Sequence, residues 1–276
     1  MGLELTDRLP RFVEILGLYE EPMGIFYDDK KPSDGFSPKP MNLPTREKEI
    51  KGEIDWQAIF GQFSCVMGNI WRARRKKKAA YFDEERFGCP GGAFFLGFMK
   101  PQTETIIHYV SSGIPNQMEG ELYCESPEEL RRIFDFIDPV PASKRYCIVK
   151  PLSLFGANEE PELIVFFTRP ETLCGLHQLA AFVTSDPLVV ASPWGAGCTN
   201  IITWPRKYLA QGQNKAVLGG WDPSARQFFR TDELTFTVPY SLFNRMVERF
   251  EDSFLTTNTW AIVQKKIARS RKTWGD

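Results

Sequence analysis

Histidine is nearly missing from this chain. His108 and His177 are the only two in 276 residues, which excludes a histidine-rich zinc site. No C-x-x-C pair or ferredoxin-type cysteine run occurs. Patterns of the type G-x-G-x-x-G, Walker A, G-x-S-x-G and H-E-x-x-H are equally missing, which removes the usual dinucleotide, nucleotide, hydrolase and zinc-protease readings. No stretch approaches the roughly 18 apolar residues that read as a membrane span. The first 20 residues alternate charged and apolar side chains around Pro10, unlike a secretory leader. Met1-Gly2 with Thr6 formally fits a myristoylation pattern, but Glu4 sits inside it and no polybasic partner follows. Charge of one sign is lacking too: 34 Lys and Arg face 35 Asp and Glu. That balance gives no footprint for nucleic acid or an anionic membrane. No short-period repeat is visible.

What is present is ordinary for a globular body, with 42% apolar and 25% charged residues. A chain this long buries its core without disulfides. The six cysteines, lacking an export signal, are expected to be reduced thiols in a cytoplasmic protein. The pattern predicts a helix over 6–16 capped by Thr6, a strand over 22–27, and a long surface loop or lid over 28–53. A second helix is expected from Asp55 to about Ala80, ending in the basic run at 72–78. Ser126-Pro127-Glu128-Glu129 is a helix start: Ser caps, Pro takes the first turn, and Glu stands three residues on. Strands are expected at 145–149, 163–168, 188–191, 216–218 and 234–238, alternating with helices at 171–182, after Cys198, at 241–250 and at 259–268. Such alternation reads as an α/β fold, a mixed sheet with flanking helices. It forms a single domain over 1–276, or two intimately packed lobes with a boundary near 138–145.

Two segments put a cysteine among glycines: Gly88-Cys89-Pro90-Gly91-Gly92 and Ser192-Pro193-Trp194-Gly195-Ala196-Gly197-Cys198. Glycine brings backbone N–H groups close to a ligand, and a helix N-terminus adds free donors. The same setting lowers a thiol pKa, so Cys198 is a candidate nucleophile. The plain alternative is tight packing around inert thiols. Cys65, Cys89 and Cys198 are candidate metal ligands if the fold gathers them. Cys174 and His177, one helical turn apart, read better as core plus surface. Asp222 and Ser224 fit a turn, and Arg226 offers a fork for a carboxylate or phosphate. Ser111 to Asn116 is a polar loop fit to line a cleft.

At these residues the chain resembles the domain of unknown function 169 family, found mainly in anaerobic bacteria and archaea. "LPRFVEILGLYEEPMGIFY" is similar to its first segment, and "FGCPGGAFFLGF" to its C-x-G-A…L-G-F element. "WGAGCTNIIT" and "GGWDPSARQFFRTDELTFTVPY" are similar to its C-terminal elements. The resemblance implies that Cys89, Cys198, Asp222 and Arg226 fall in recurring elements, and it implies no activity.

Three functions follow as expectations, with enzymatic activity left open. The first is a small anionic ligand bound in a cleft between 88–97 and 192–200, held by Gly91, Gly92, Trp194, Gly195, Gly197, Asp222 and Arg226. The second is an iron–sulfur or other thiolate-metal redox protein. The third is an interaction protein using the basic helix end at 72–78. A homo-oligomer is compatible with all three.

Overall fold

A computed structural model describes residues 3–100 and 103–274, with side chains from residue 7 onward. The myristoylation pattern therefore lies outside the described residues. Eight strands form one mixed sheet: β1 Met23–Asp28, β2 Gly35–Phe36, β3 Ala79–Phe82, β4 Tyr146–Pro151, β5 Leu163–Thr168, β6 Val190–Ala191, β7 Ala216–Gly219 and β8 Leu234–Pro239. Their order across the sheet is β2-β3-β4-β1-β5-β8-β7-β6. The flanking helices are α1 Leu3–Leu16, α2 Arg46–Ile50, α3 Trp56–Phe60, α4 Val66–Lys76, α5 Pro90–Phe95 and α6 Thr105–Val110. They continue with α7 Pro127–Ile137, α8 Pro170–Thr184, α9 Trp204–Ala210, α10 Tyr240–Arg249 and α11 Asn258–Trp274.

The sheet is one four-stranded unit laid down twice. β1 meets β4 antiparallel from Met23 opposite Pro151 to Asp28 opposite Tyr146. β5 meets β8 in the same way, from Leu163 opposite Pro239 to Thr168 opposite Leu234. Ala80 faces Val149 and Val217 faces Thr237, the same positions in each unit. Both outer pairs are parallel and start alike, Gly35 beside Ala79 and Val190 beside Ala216. At the centre β1 and β5 run antiparallel with Met23 opposite Val165 and Ile25 opposite Leu163, a register that exchanging the units leaves unchanged. The sheet is thus built like a self-complementary two-fold dimer fused into one chain. The division between units falls at 152–162, between β4 and β5. The stretch 138–145, expected as a lobe boundary, belongs inside the first unit: Gly97 O accepts from Ala142 N, and Arg206 donates to Val140 O and Pro141 O.

Buried arginines lock the units together across this axis. Arg74, on α4, lies 3.8 Å over the Phe167 ring of β5 and pairs with Glu233, which is fully buried, and with Glu20. Arg206, on α9, lies 4.2 Å over the Tyr27 ring of β1 and pairs with Glu162. Phe167 and Tyr27 hold the same place in β5 and β1. Burying such guanidinium groups is tolerable only because each has carboxylate and aromatic partners.

β4 and β5 are buried along their whole length, and β5 accordingly reads as a nearly unbroken apolar run, whereas β4 carries Lys150, which pairs with Glu159. Helix α7 starts as its sequence dictates, with Ser126 Oγ accepting from Glu129 N and Pro127 in the first turn. The single helix expected over 55–80 is instead three elements. Asp55 caps α3, the chain turns at Gly61, and α4 restarts after Cys65. Lys77, left-handed at φ 51°, ends α4, and residues 79–82 turn into β3 because β4 offers them a pairing edge. The helix expected to start at Thr6 begins at Leu3. In the basic run at 72–78 Arg74 turns inward, Lys77 pairs with Glu21, Lys78 with Asp34, and Arg72 and Lys76 lie over Phe36, while the basic side chains other than Arg74 stay exposed.

Candidate functional site

Cysteines stand at or near the start of three helices, and all three reach one cavity of about 820 Å³ on the α4–α9 face of the sheet. Cys65 occupies the N-cap position of α4 without a side-chain cap bond, and Cys89 caps α5, where its Sγ accepts from Gly92 N at 3.2 Å. Cys198 sits in the first turn of the helical stretch leading through a π-helical segment into α9. Asp222 reaches the same cavity as the cap of the 3-10 turn Pro223–Phe228. Its Oδ1 accepts from Ser224 N and Oγ, and its Oδ2 accepts from Gly197 N at 2.9 Å. The helices of one unit pack on the capped turns of the other, α4 on the 3-10 turn and the π-helical segment on α5, so both units wall the cavity.

Burial controls the thiols. It pushes Cys65 up, although the N–H groups of Gly68 and Met67 pull the other way. It pushes Cys89 up to about 12, helped by Cys65 and Asp222. Cys198 is raised well above its ordinary value by burial and by Cys89, Cys65 and Asp222. The helix N-termini were expected to release thiolate; desolvation in this apolar wall outweighs them. Burial thus favours the protonated form of Cys198, and among the described residues no histidine lines the cavity beside it.

The rest of the wall is aromatic and acidic. Phe60, Phe63, Tyr109, Tyr123, Trp194, Trp221 and Phe228 line it, and so do Glu121 and Asp222. Burial, then the Asp222 charge, raises Glu121 to about 7, against the lowering effect of its hydrogen bond to Tyr109. Among the described residues no lysine, arginine or histidine lines the cavity. That corrects the anionic-ligand expectation: an anion would meet two carboxylates and no cation.

Of the glycines named from sequence, Gly91, Gly195 and Gly197 line the cavity. Gly92 does not; a Cβ there would stand 2.2 Å from Phe87 O, so its role is close packing. Trp194 lines it, half exposed, with its carbonyl accepting from Trp204 Nε1. Arg226 does not: its guanidinium donates to the carbonyls of Gly220, Glu233, Arg230 and Thr231 and lies over Phe229. It staples the 220–233 loop and has no fork left for a ligand. No residue of 28–53 lines this cavity, so that segment is not its lid; it carries β2 and α2. The 111–116 loop likewise stays away, and its Ile114 borders a separate recess of about 400 Å³ beside α2.

Sequence reasoning missed Glu121, Tyr109, Tyr123 and Trp221, whose Nε1 donates to Ser192 Oγ and ties the two rims. It also missed the duplication, although two signals were printed in the chain. Pro151-Leu152-Ser153-Leu154-Phe155 and Pro239-Tyr240-Ser241-Leu242-Phe243 close the equivalent strands β4 and β8. Trp71 and Trp204 follow Cys65 and Cys198 at equal distance. All six cysteines are free thiols, with Cys147 sealed beside Tyr27 and Cys174 on the surface. Among the described residues no three His, Cys, Asp or Glu side chains are gathered tightly enough to hold a metal ion. No helix among them is long and apolar enough to cross a membrane.

Fold and site together define a duplicated α/β protein whose two units enclose a thiol- and aromatic-lined cavity. The chain belongs to the DUF169 family, described as uncharacterised ArCR, which it matches over residues 11–249. No curated protein and no solved structure matches it.

Proposed function

We propose that this protein holds an iron–sulfur cluster in the cavity between its two units. The observation that carries the reading is the meeting of Cys65, Cys89 and Cys198, from three separate elements, in one wall that contains no cationic side chain. Serine caps a helix better than cysteine does. Two cysteines in capping positions are therefore better explained by what sulfur binds than by capping. A cluster spaces its protein donors more widely than one ion does, which suits a thiol set too open for a single metal. Backbone N–H groups such as that of Gly92, 3.2 Å from Cys89 Sγ, are the donors that tune such clusters. Binding would take the protons off the thiols, replacing three neutral groups by thiolates neutralised by iron.

Anaerobic purification, followed by reconstitution with ferrous iron and sulfide, tests this. The expected product is brown, contains iron and acid-labile sulfide, and bleaches on reduction. Cys65→Ser, Cys89→Ser and Cys198→Ser each diminish the loading. Colourless wild-type protein without iron and sulfide overturns the reading.

A second reading is favoured by the aromatic wall: an uncharged, largely apolar organic molecule fills the cavity without a metal. It predicts that an apolar fluorescent dye binds the metal-free protein and quenches Trp194 and Trp221. Dye affinity unchanged by Trp221→Ala and by filling Gly197 with a larger residue counts against it.

A further inference from the structure

The duplication pairs the groups around the cavity. Cys65 opens the helix between β2 and β3, and Cys198 opens the helix between β6 and β7. Beyond β3 and β7 each unit then sets a capped turn whose first residue is proline: Cys89-Pro90 in one, Asp222-Pro223 in the other. Asp222 follows Cys198 by as many residues as Cys89 follows Cys65. Both side chains accept a backbone N–H from the turn they cap, and both line the cavity. Cys89 and Asp222 are twins by position, one sulfur and one oxygen.

We propose that Asp222 is the fourth protein ligand of the group held by Cys65, Cys89 and Cys198. The inference rests on the iron–sulfur reading and adds the ligand that reading lacks. Two further observations support it. A carboxylate offers about four acceptor sites, and the Gly197 and Ser224 donors occupy three of them. Those same donors fix its orientation, as the supports of metal-bound carboxylates do.

The asymmetry has a chemical consequence. Such a set would hold the cluster by three soft thiolates and one harder oxygen, to which a soft, sulfide-bridged iron would bind more weakly. Asp222 would then be the ligand most readily exchanged, in a cavity whose lining is otherwise rich in aromatic side chains. A substrate with an apolar body and a donor atom is the class that fits.

Two variants test the assignment on the reconstituted full chain. Asp222→Cys completes a four-thiolate set. It is expected to slow iron loss to a chelator by roughly tenfold or more, the scale of changes in metal-site support, and to lower the cluster's reduction potential. Asp222→Ser keeps a capping side chain but removes the carboxylate. It is expected to speed iron loss by a similar factor and, on mild oxidation, to give the paramagnetic signal of a three-iron cluster. Thermal unfolding of each metal-free variant reports whether the turn itself survives. If the wild type loads iron and sulfide while both variants match it in potential, spectrum and chelator resistance, Asp222 is not a ligand and only this inference falls. If the wild type takes up no cluster, the underlying reading falls and takes the ligand with it.

Discussion

The two faces of this sheet are built to different ends. On the α1–α8–α10 face, Phe12, Phe166, Phe243 and Phe250 are all fully buried and meet edge-on or tilted, with ring centroids 5.6 to 6.3 Å apart. That is solid core. On the α4–α9 face, equally apolar elements are held apart around a cavity of about 820 Å³, and two tryptophans stand half exposed at its rim. A packed interior has few voids larger than a water molecule. The hollow is therefore a cost that the filled face and the crossed arginines offset, and the comparison sets solid core on one side against an open cavity on the other.

The sharpest way to break that comparison is a large-to-small change on each face. Phe243→Ala is expected to cost about 3–5 kcal/mol by denaturant unfolding. Trp221→Ala, half exposed at the cavity rim, is expected to stay within about 0.5 kcal/mol. Similar losses at the two positions would mean that the cavity face is also packed core.

The arginine locks come next. Removing Arg74 leaves Glu233 charged and fully buried, so Arg74→Met is expected to cost roughly 3 kcal/mol or more. Arg206→Met leaves Glu162, whose side chain is 30% exposed and can reach water, so its cost is expected to be smaller. Equal losses would show that the duplicated locks are also energetically equivalent.

A smaller effect separates two adjacent glycines. A Cβ on Gly92 would meet the backbone oxygen of Phe87 at 2.2 Å, whereas one on Gly91 would meet only the end of the Ile106 side chain at 2.7 Å. Gly92→Ala is expected to destabilise by about 1–3 kcal/mol, as overpacking does. Gly91→Ala is expected to cost less, because a side-chain end can move. Equal melting temperatures for the two variants would refute this account.

The smallest effect lies away from both faces, at Glu104 between α6 and α7. Its hydrogen bonds from Arg131, and the charges of Arg131 and His108, hold its carboxyl below the ordinary range. A depressed acid stabilises the fold above its unfolded-state pKa and loses that contribution as pH falls through its folded value. The melting-temperature difference between wild type and Glu104→Gln should be present near neutrality and shrink on acidification. A difference that grows in acid would reverse the sign.

Local signals carried the elements well where one interaction decides an end. Ser126-Pro127 placed the start of α7, and the apolar run at 163–168 placed β5, because a cap and a doubly covered strand are written in neighbouring residues. They failed where a distant partner decides. Ala79 to Phe82 looks like a helix end until β4 supplies an edge. Arg226 looks like a ligand fork until the loop it closes presents four carbonyls. The thiols at 65, 89 and 198 were legible as candidates, but their common wall, its acidity and its aromatic lining come from segments far apart in the chain.

By itself the sequence determined an α/β body, its helix caps and most of its strands, since these depend on periodicity and contacts within a few residues. Only the tertiary structure decided that the body is one unit used twice, and that its hollow faces a set of thiols and carboxylates instead of a cation. Sheet register and the convergence of caps are set by pairing between segments far apart in the chain, such as Met23 with Pro151 and Leu163 with Pro239, and no local pattern encodes which edge a strand will meet.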